Sequence, residues 1–222
     1  MRILVLGGSG FVGQEICLDA LKRGWTVASL SRSGPPSSPL TPQLLSKVNW
    51  HRGSAIDPAS YHPAGRSILK DVNYLVHSIG ILVPDAQRSY HDVSVEPLRT
   101  ALAKPNSLKG VGYVSAASYG SAFKSVMSGY YAGKNEAEQF LCEAQAQGSI
   151  PSVCIVRPGL MWGEGRLLSK PISVFYSIGT FFAGGLFPRA LAVSSVAKSL
   201  LDSLERNQNK TEILEVSDMI KS

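Results

Sequence analysis

Arg2-Ile3-Leu4-Val5-Leu6-Gly7-Gly8-Ser9-Gly10-Phe11-Val12-Gly13 is the stretch whose reading decides the fold. Its apolar run from Ile3 to Leu6 has the length and character of a buried strand. After it, Ile16, Leu18 and Leu21 recur at helical spacing between Gly13 and Arg23, and Gly24 stands where a helix C-cap belongs. Between strand and helix the glycines fall at 7, 10 and 13. One glycine makes the tight turn, one lets backbone N–H groups approach a pyrophosphate, and one lets the helix pack close to the strand. The phosphates then sit at the positive end of the helix dipole. A glycine triplet alone is weak, because glycine turns are common, and a purely structural turn is the alternative. The strand–turn–helix context favours dinucleotide binding.

Outward from this unit, short apolar runs alternate with amphipathic stretches, the pattern of βα units feeding a parallel sheet. Six strands are expected: Ile3 to Leu6, Thr26 to Leu30, Val48 to His51, Tyr74 to Ser78, Gly112 to Ser115 and Ser152 to Val156. A second long helix is expected from Tyr130 to Gln147, ended by Gly148. Ser33 to Pro42 and Pro84 to Val95 read as loops. The chain of 222 residues is therefore expected to be one α/β domain, a Rossmann-type doubly wound parallel sheet over residues 1–158 with a small apolar C-terminal substrate lobe over 159–222. No signal-peptide pattern precedes the first strand, so chain and fold are expected to start together.

In the lobe, Ile172 to Phe187 is an uncharged stretch of 16 residues with three glycines and five aromatics. As a helix it would span only about 24 Å at about 1.5 Å per residue, short of a comfortable bilayer crossing. A buried helix of the lobe is the first reading, a greasy lid or peripheral membrane contact the second. Composition sets further bounds. Charged residues are 17% of the chain and the net charge is +6, a mild excess without a dense cluster. That fits an anionic ligand, a lipid surface or a basic compartment, and offers no basic stripe with interleaved aromatics for nucleic acid. The three cysteines, Cys17, Cys142 and Cys154, sit apart in apolar surroundings without a CxxC or Cys/His cluster, so neither a disulfide framework nor a metal site is expected.

Two further constellations carry chemistry. The second strand ends in Ser31-Arg32-Ser33, where NAD-specific sites of this type place an acid on the ribose hydroxyls. A guanidinium between two hydroxyls suits a 2′-phosphate instead, so NADP(H) is the expected cofactor; a solvated loop arginine is the alternative. Tyr130 and Lys134 stand at i and i+4, on one helical face. An ammonium beside a phenol favours the phenolate and so prepares Tyr130 to exchange a proton with a substrate oxygen, while Ser115 at the end of the fifth strand could donate a hydrogen bond to that oxygen. By itself a YxxxK spacing is more often a pair of surface residues.

Taken in order, GGSGFVG at 7–13, Ser115, YYAGK at 130–134 and Val156-Arg157-Pro158-Gly159 resemble the short-chain dehydrogenase/reductase superfamily in its extended or atypical branch, over most of the chain. Smaller phrases, FVGQEIC after the turn, SLSRSG at 29–34, KVNW at 47–50 and LVHSIGILV at 75–83, resemble the fungal mitochondrial dehydrogenase-like family of coenzyme Q (ubiquinone) biosynthesis, akin to the NADPH-binding accessory subunit of respiratory complex I. The resemblance implies that Gly7, Ser9, Gly10, Phe11, Val12 and Gly13 cradle the pyrophosphate and that Ser31, Arg32 and Ser33 hold the adenosine phosphate. It further implies that Ala55 and Ile56 flank the adenine, that Ser78, Ile79 and Gly80 contact the ribose beside the nicotinamide, and that Pro158 lies near the nicotinamide. Tyr130 would be the proton donor or acceptor, Lys134 would tune it and hold ribose hydroxyls, and Ser115 would orient the carbonyl.

The sequence departs from the family pattern in places. Ser54 stands where an acid usually follows the glycine, and Ser118 is a second candidate for the serine role. The resemblance implies an NADP(H)-dependent oxidoreductase working on a carbonyl or a prenylated quinone-like substrate, on the matrix side of the inner mitochondrial membrane. Its rival, of a different class, is a non-catalytic NADPH-binding subunit of a membrane-associated biosynthetic complex.

Overall fold

Strands that are apolar on both faces bury best in a parallel sheet covered on both sides by helices, and the computed structural model shows that arrangement. It describes residues 1–81, 89–103, 108–118, 125, 127–163, 191–206 and 209–220. The stretch Ile172 to Phe187 lies outside the described residues. Strands β1 (Arg2–Leu6), β2 (Thr26–Ser31), β3 (Asn49–Arg52), β4 (Tyr74–His77), β5 (Gly110–Val114) and β6 (Ser152–Val156) alternate with helices, and β4, β5 and β6 are buried along their whole length. Two short strands, β7 (Met161–Trp162) and β8 (Leu191–Ala192), pair apart from the sheet, and β9 (Thr211–Leu214) extends it. The main sheet runs β3-β2-β1-β4-β5-β6-β9 with every pair parallel. Chain order reverses between β1 and β4, and the crevice beyond the carboxyl ends of those strands is where such sheets bind ligands.

The helices are α1 (Phe11–Lys22), α2 (Pro42–Leu45), α3 (Tyr90–Ser94), α4 (Glu96–Leu102), α5 (Ser128–Ala146), α6 (Val193–Arg206) and α7 (Val216–Ile220). One core lies between the sheet and α1 and α6, through Ile3, Val5, Ile16, Val76 and Leu200; the other lies under α4 and α5, through Leu4, Leu6, Leu75, Leu98 and Leu141. Arg23 fastens α1 to α6 through Asp202 and Glu205 at 2.7 and 2.8 Å, with Asp19 of its own helix at 2.7 Å. All six expected strands are present. The fifth starts two residues earlier than expected, at Gly110, where it already pairs with Tyr74 and Ser152; its two glycines admit α6, since a Cβ at Gly112 would lie 3.0 Å from Leu200 and at Gly110 3.2 Å from Leu204. Residues 193–220, which the sequence reading groups with the C-terminal lobe, contribute α6 and the seventh strand of the sheet itself.

All three cysteines are free, Cys17 and Cys154 buried and Cys142 half-buried. Among the described residues no helix is long and apolar enough to cross a membrane, and no cluster of three His, Cys, Asp or Glu side chains could hold a metal ion.

Candidate dinucleotide and nicotinamide site

The glycine turn has the geometry its spacing requires. Gly7 takes φ +85°, a conformation that costs a glycine little, and its N–H donates to the Leu30 carbonyl at 2.9 Å. Gly10 N–H closes the turn on the Gly7 carbonyl at 3.0 Å. A Cβ at Gly13 would overlap the Gly7 carbonyl oxygen and lie 2.6 Å from Gly8 Cα, so α1 can approach β1 this closely only through glycine. Gly10 caps α1 without a side-chain hydrogen bond, and no acidic residue stands in the first turn. A helix end with no capping side chain and no carboxylate in its first turn leaves its N–H groups and dipole available to an anion. The residues present therefore fit a dinucleotide pyrophosphate.

Toward the adenosine side, Ser9 N–H donates to Ser31 Oγ at 3.3 Å, and the hydroxyls of Ser9 and Ser33 are 3.1 Å apart. The Ser31 carbonyl accepts from Gly34 N–H at 3.0 Å and Gly53 N–H at 3.1 Å, which draws the loops after β2 and β3 together. Arg32 is exposed and has no hydrogen-bond or ion-pair partner among the described residues. Ala55 is buried with its carbonyl held by Tyr61 Oη at 2.8 Å, whereas Ile56 is 47% exposed.

On the other side of the switch point, Ser78 donates both its N–H and its Oγ to the Leu6 carbonyl, at 3.0 and 2.9 Å. The Ile79 side chain abuts Gly7, and a Cβ on exposed Gly80 would sit 3.8 Å from Lys134 Nζ. The glycine turn, the loop after β4 and Lys134 thus form one line along the carboxyl edge of the sheet. Lys134 is buried, donates to the Val114 carbonyl at 2.8 Å and stands 4.8 Å from the Tyr113 ring centre. Burial pulls its pKa down to about 8, with the nearby Glu138 carboxylate opposing the fall.

Tyr130, one turn earlier, is half-buried and packs edge-on against Tyr90 and Tyr131, with ring centres 5.9 and 5.5 Å away. Tyr131 donates to the Ala117 carbonyl at 3.1 Å, a structural bond that leaves Tyr130 as the tyrosine on the lysine face. A Cβ at Gly133 would come 3.0 Å from the Tyr90 backbone, so the glycine of YYAGK is what allows α3 to lie on α5. His91, next to Tyr90, bridges Glu136 at 2.9 Å and Glu96 at 3.0 Å and fastens the same contact.

Ser115, expected as the last residue of the fifth strand, directly follows β5, and its hydroxyl donates to Glu138 at 2.5 Å. Arg157 grips that carboxylate with two nitrogens, at 3.1 and 2.5 Å, and reaches Glu215 at 2.8 Å. The proton of Ser115 is therefore directed into a largely buried ion pair, while Ser118 is exposed. Pro158 is buried, and its carbonyl accepts from Ala117 N–H at 2.9 Å, which ties the loop after β6 to the loop after β5. Further along, a Cβ at Gly163 would stand 3.4 Å from the Phe11 ring, so this segment passes over the glycine turn.

Three participants escape the sequence reading. Glu138 repeats the four-residue step of Tyr130 and Lys134, and that step was the available signal. Arg157 precedes Pro158, but only the fold places it on Glu138. His77, at the end of β4, is fully buried; its Nε2 faces the Ser94 carbonyl at 3.1 Å and its Nδ1 accepts from Ile79 N–H at 3.3 Å. Burial and Lys134 push its pKa down to about 3, which favours the neutral ring, and its bond from Ile79 N–H braces the Ser78–Gly80 loop.

No protein-family model matches the chain. It is 39% identical over 85 residues to MIOREX complex component 2 of Saccharomyces cerevisiae, covering 37% of this chain and 29% of that protein. It is 26% identical over 166 residues to an uncharacterised chloroplastic protein of Arabidopsis thaliana, covering 75% of this chain and 52% of that one. The matches thus span about half or less of these curated relatives. Among solved structures, a UDP-galactose 4-epimerase superposes with a TM-score of 0.70 at 17% identity, over 97% of this chain and 77% of that one. MoeE5, solved with UDP-glucose and NAD, superposes with a TM-score of 0.68 at 16% identity, over 100% and 80% of the two chains. These likenesses show the architecture: the chain has the Rossmann-like α/β fold that short-chain dehydrogenase and epimerase structures share.

Proposed function

We propose that this chain binds NADP(H) and acts as an oxidoreductase of the short-chain dehydrogenase type on a carbonyl or quinonoid carbon. The observation that carries the proposal is the line of groups at the switch point: an α1 terminus without a side-chain cap, Arg32 without a partner among the described residues on one side, and Lys134 beside Gly80 on the other, with Tyr130 on the lysine face. When bound, a nicotinamide supplies or takes the hydride. Tyr130 then gives a proton to, or removes one from, the substrate oxygen, and the Lys134 ammonium stabilises the phenolate. The MoeE5 structure contains NAD, which supports a nicotinamide dinucleotide for this fold, and Arg32 in place of an acid supports the phosphorylated form.

The resemblance of the smaller sequence phrases supports a place in ubiquinone biosynthesis with a prenylated, quinone-like substrate. It also supports a location at the matrix side of the inner mitochondrial membrane, in contact with a multi-subunit complex; the chloroplastic relative favours an organelle in a general way. A second reading, a dinucleotide-holding subunit without turnover, is favoured by one observation: the Ser115 proton is engaged by Glu138.

Tyr130→Phe separates the two. For the oxidoreductase, the variant binds NADPH with unchanged affinity but loses hydride transfer to quinone and carbonyl acceptors by about two orders of magnitude or more. Wild-type protein that binds NADPH and turns over none of them, with Tyr130→Phe indistinguishable from it in cellular ubiquinone output, supports the subunit reading instead.

A further inference from the structure

We propose that Arg52, at the end of β3, is the second arm of a guanidinium pair that, with Arg32, grips the 2′-phosphate and makes the site specific for NADP(H). The inference rests on the dinucleotide reading above. In the parallel ladder Arg52 is in register with Ser31, and paired residues of parallel strands share a face. That face is the one on which Trp50 packs against the α1 core and on which Ser31 Oγ meets Ser9 N–H of the glycine turn. Arg52 therefore projects on the same side of the sheet as the phosphate-binding turn.

The intervening loop is shaped around the Arg52 stem. Gly34 takes φ +73°, its N–H returns to the Ser31 carbonyl at 3.0 Å, and a Cβ there would lie 3.5 Å from Arg52 Cβ. Gly53 N–H bonds the same carbonyl at 3.1 Å, so the chain just after each arginine is tied to the Ser31 carbonyl. Both arginines are exposed and neither has a hydrogen-bond or ion-pair partner among the described residues, whereas Arg23, Arg157 and Arg206 are each tied to carboxylates. Asp57, the acid that follows in the loop after β3, is turned to Ala59 N–H and Ser60 Oγ at 3.0 Å each.

Two exposed guanidinium groups, one just past the end of β2 and one at the end of β3, offer the forked donors that a phosphate dianion takes and a ribose hydroxyl does not need; of the paired hydroxyls, Ser33 lies on the same loop as Arg32 and Ser9 on the glycine turn. Ser31, Arg32 and Ser33 stand together in the sequence, whereas Arg52 lies 20 residues beyond Arg32 and comes alongside them only through the β2–β3 pairing.

The test is a binding titration of NADPH and of NADH, followed by nucleotide fluorescence or calorimetry, on wild type, Arg32→Ala, Arg52→Ala, Arg52→Gln and the double variant, with melting temperatures as a check of folding. Loss of one charge-assisted arm is expected to weaken NADPH by about tenfold in Arg52→Ala and Arg52→Gln while NADH affinity changes by less than about twofold. The salt dependence of NADPH binding should flatten with each arginine removed. NADPH affinity unchanged in both Arg52 variants but lowered in Arg32→Ala overturns the inference and leaves the NADP(H) reading standing. A wild type that holds NADPH no better than NADH overturns both.

Discussion

Gly13→Ala is expected to reduce dinucleotide affinity by at least about a hundredfold and to lower the melting temperature. The added carbon would overlap the Gly7 carbonyl oxygen and come within 2.9 Å of the Gly7 carbonyl carbon as well as 2.6 Å of Gly8 Cα. These are backbone atoms, so no rotamer change relieves the contact; either α1 moves off β1 or the turn opens. Overpacking of this kind costs about 1–3 kcal/mol. The loss in binding is larger than the loss in stability, because the N–H groups that would face the pyrophosphate belong to the displaced segment and act only at close range. Thermal unfolding and an NADPH titration read both effects. Wild-type affinity in a well-folded Gly13→Ala protein would remove the glycine turn from the site.

Arg157→Ala is expected to produce the largest loss of stability. Glu138 is 7% exposed and takes two bonds from Arg157 and one from Ser115. Removing the guanidinium leaves a carboxylate in the interior with the Ser115 hydroxyl and Lys134 as its polar neighbours. Breaking a buried pair costs about 3–5 kcal/mol, and this one belongs near the lower end because the Arg157 side chain keeps 30% exposure. Urea unfolding should show the midpoint falling with little change in slope. Replacing both partners, Glu138→Leu with Arg157→Leu, should recover much of the loss, because an apolar pair leaves no unpaired charge. A single variant as stable as wild type would mean that the pair does not hold the loops after β5 and β6 together.

Where local rules and tertiary demands agree, the sequence is legible. The run Ile3 to Leu6 and the glycines at 7, 10 and 13 each have one physically economical use, and the strand, turn and helix follow. The same holds for Tyr130 and Lys134, whose spacing puts them on one face wherever α5 packs. Legibility fails where a residue's role depends on a neighbour distant in the chain. Gly110 and Gly112 look like weak strand residues until Leu200 and Leu204 of α6 arrive against them. Thr211 to Leu214 alternates too briefly to announce a strand, and it becomes one because β6 offers it an open edge. Ser115 directly follows β5, but which way its hydroxyl points is decided by Glu138 and Arg157, which come from α5 and from beyond β6.

The proposed occupant of the carboxyl edge between β1 and β4 is a phosphorylated nicotinamide dinucleotide. Equilibrium titration of the purified wild-type chain with NADPH and with NADH tests it most directly. The expected result is saturable binding of one NADPH per chain, at least about tenfold tighter than NADH. No saturable binding of either nucleotide, or equal affinity for the two, would contradict it.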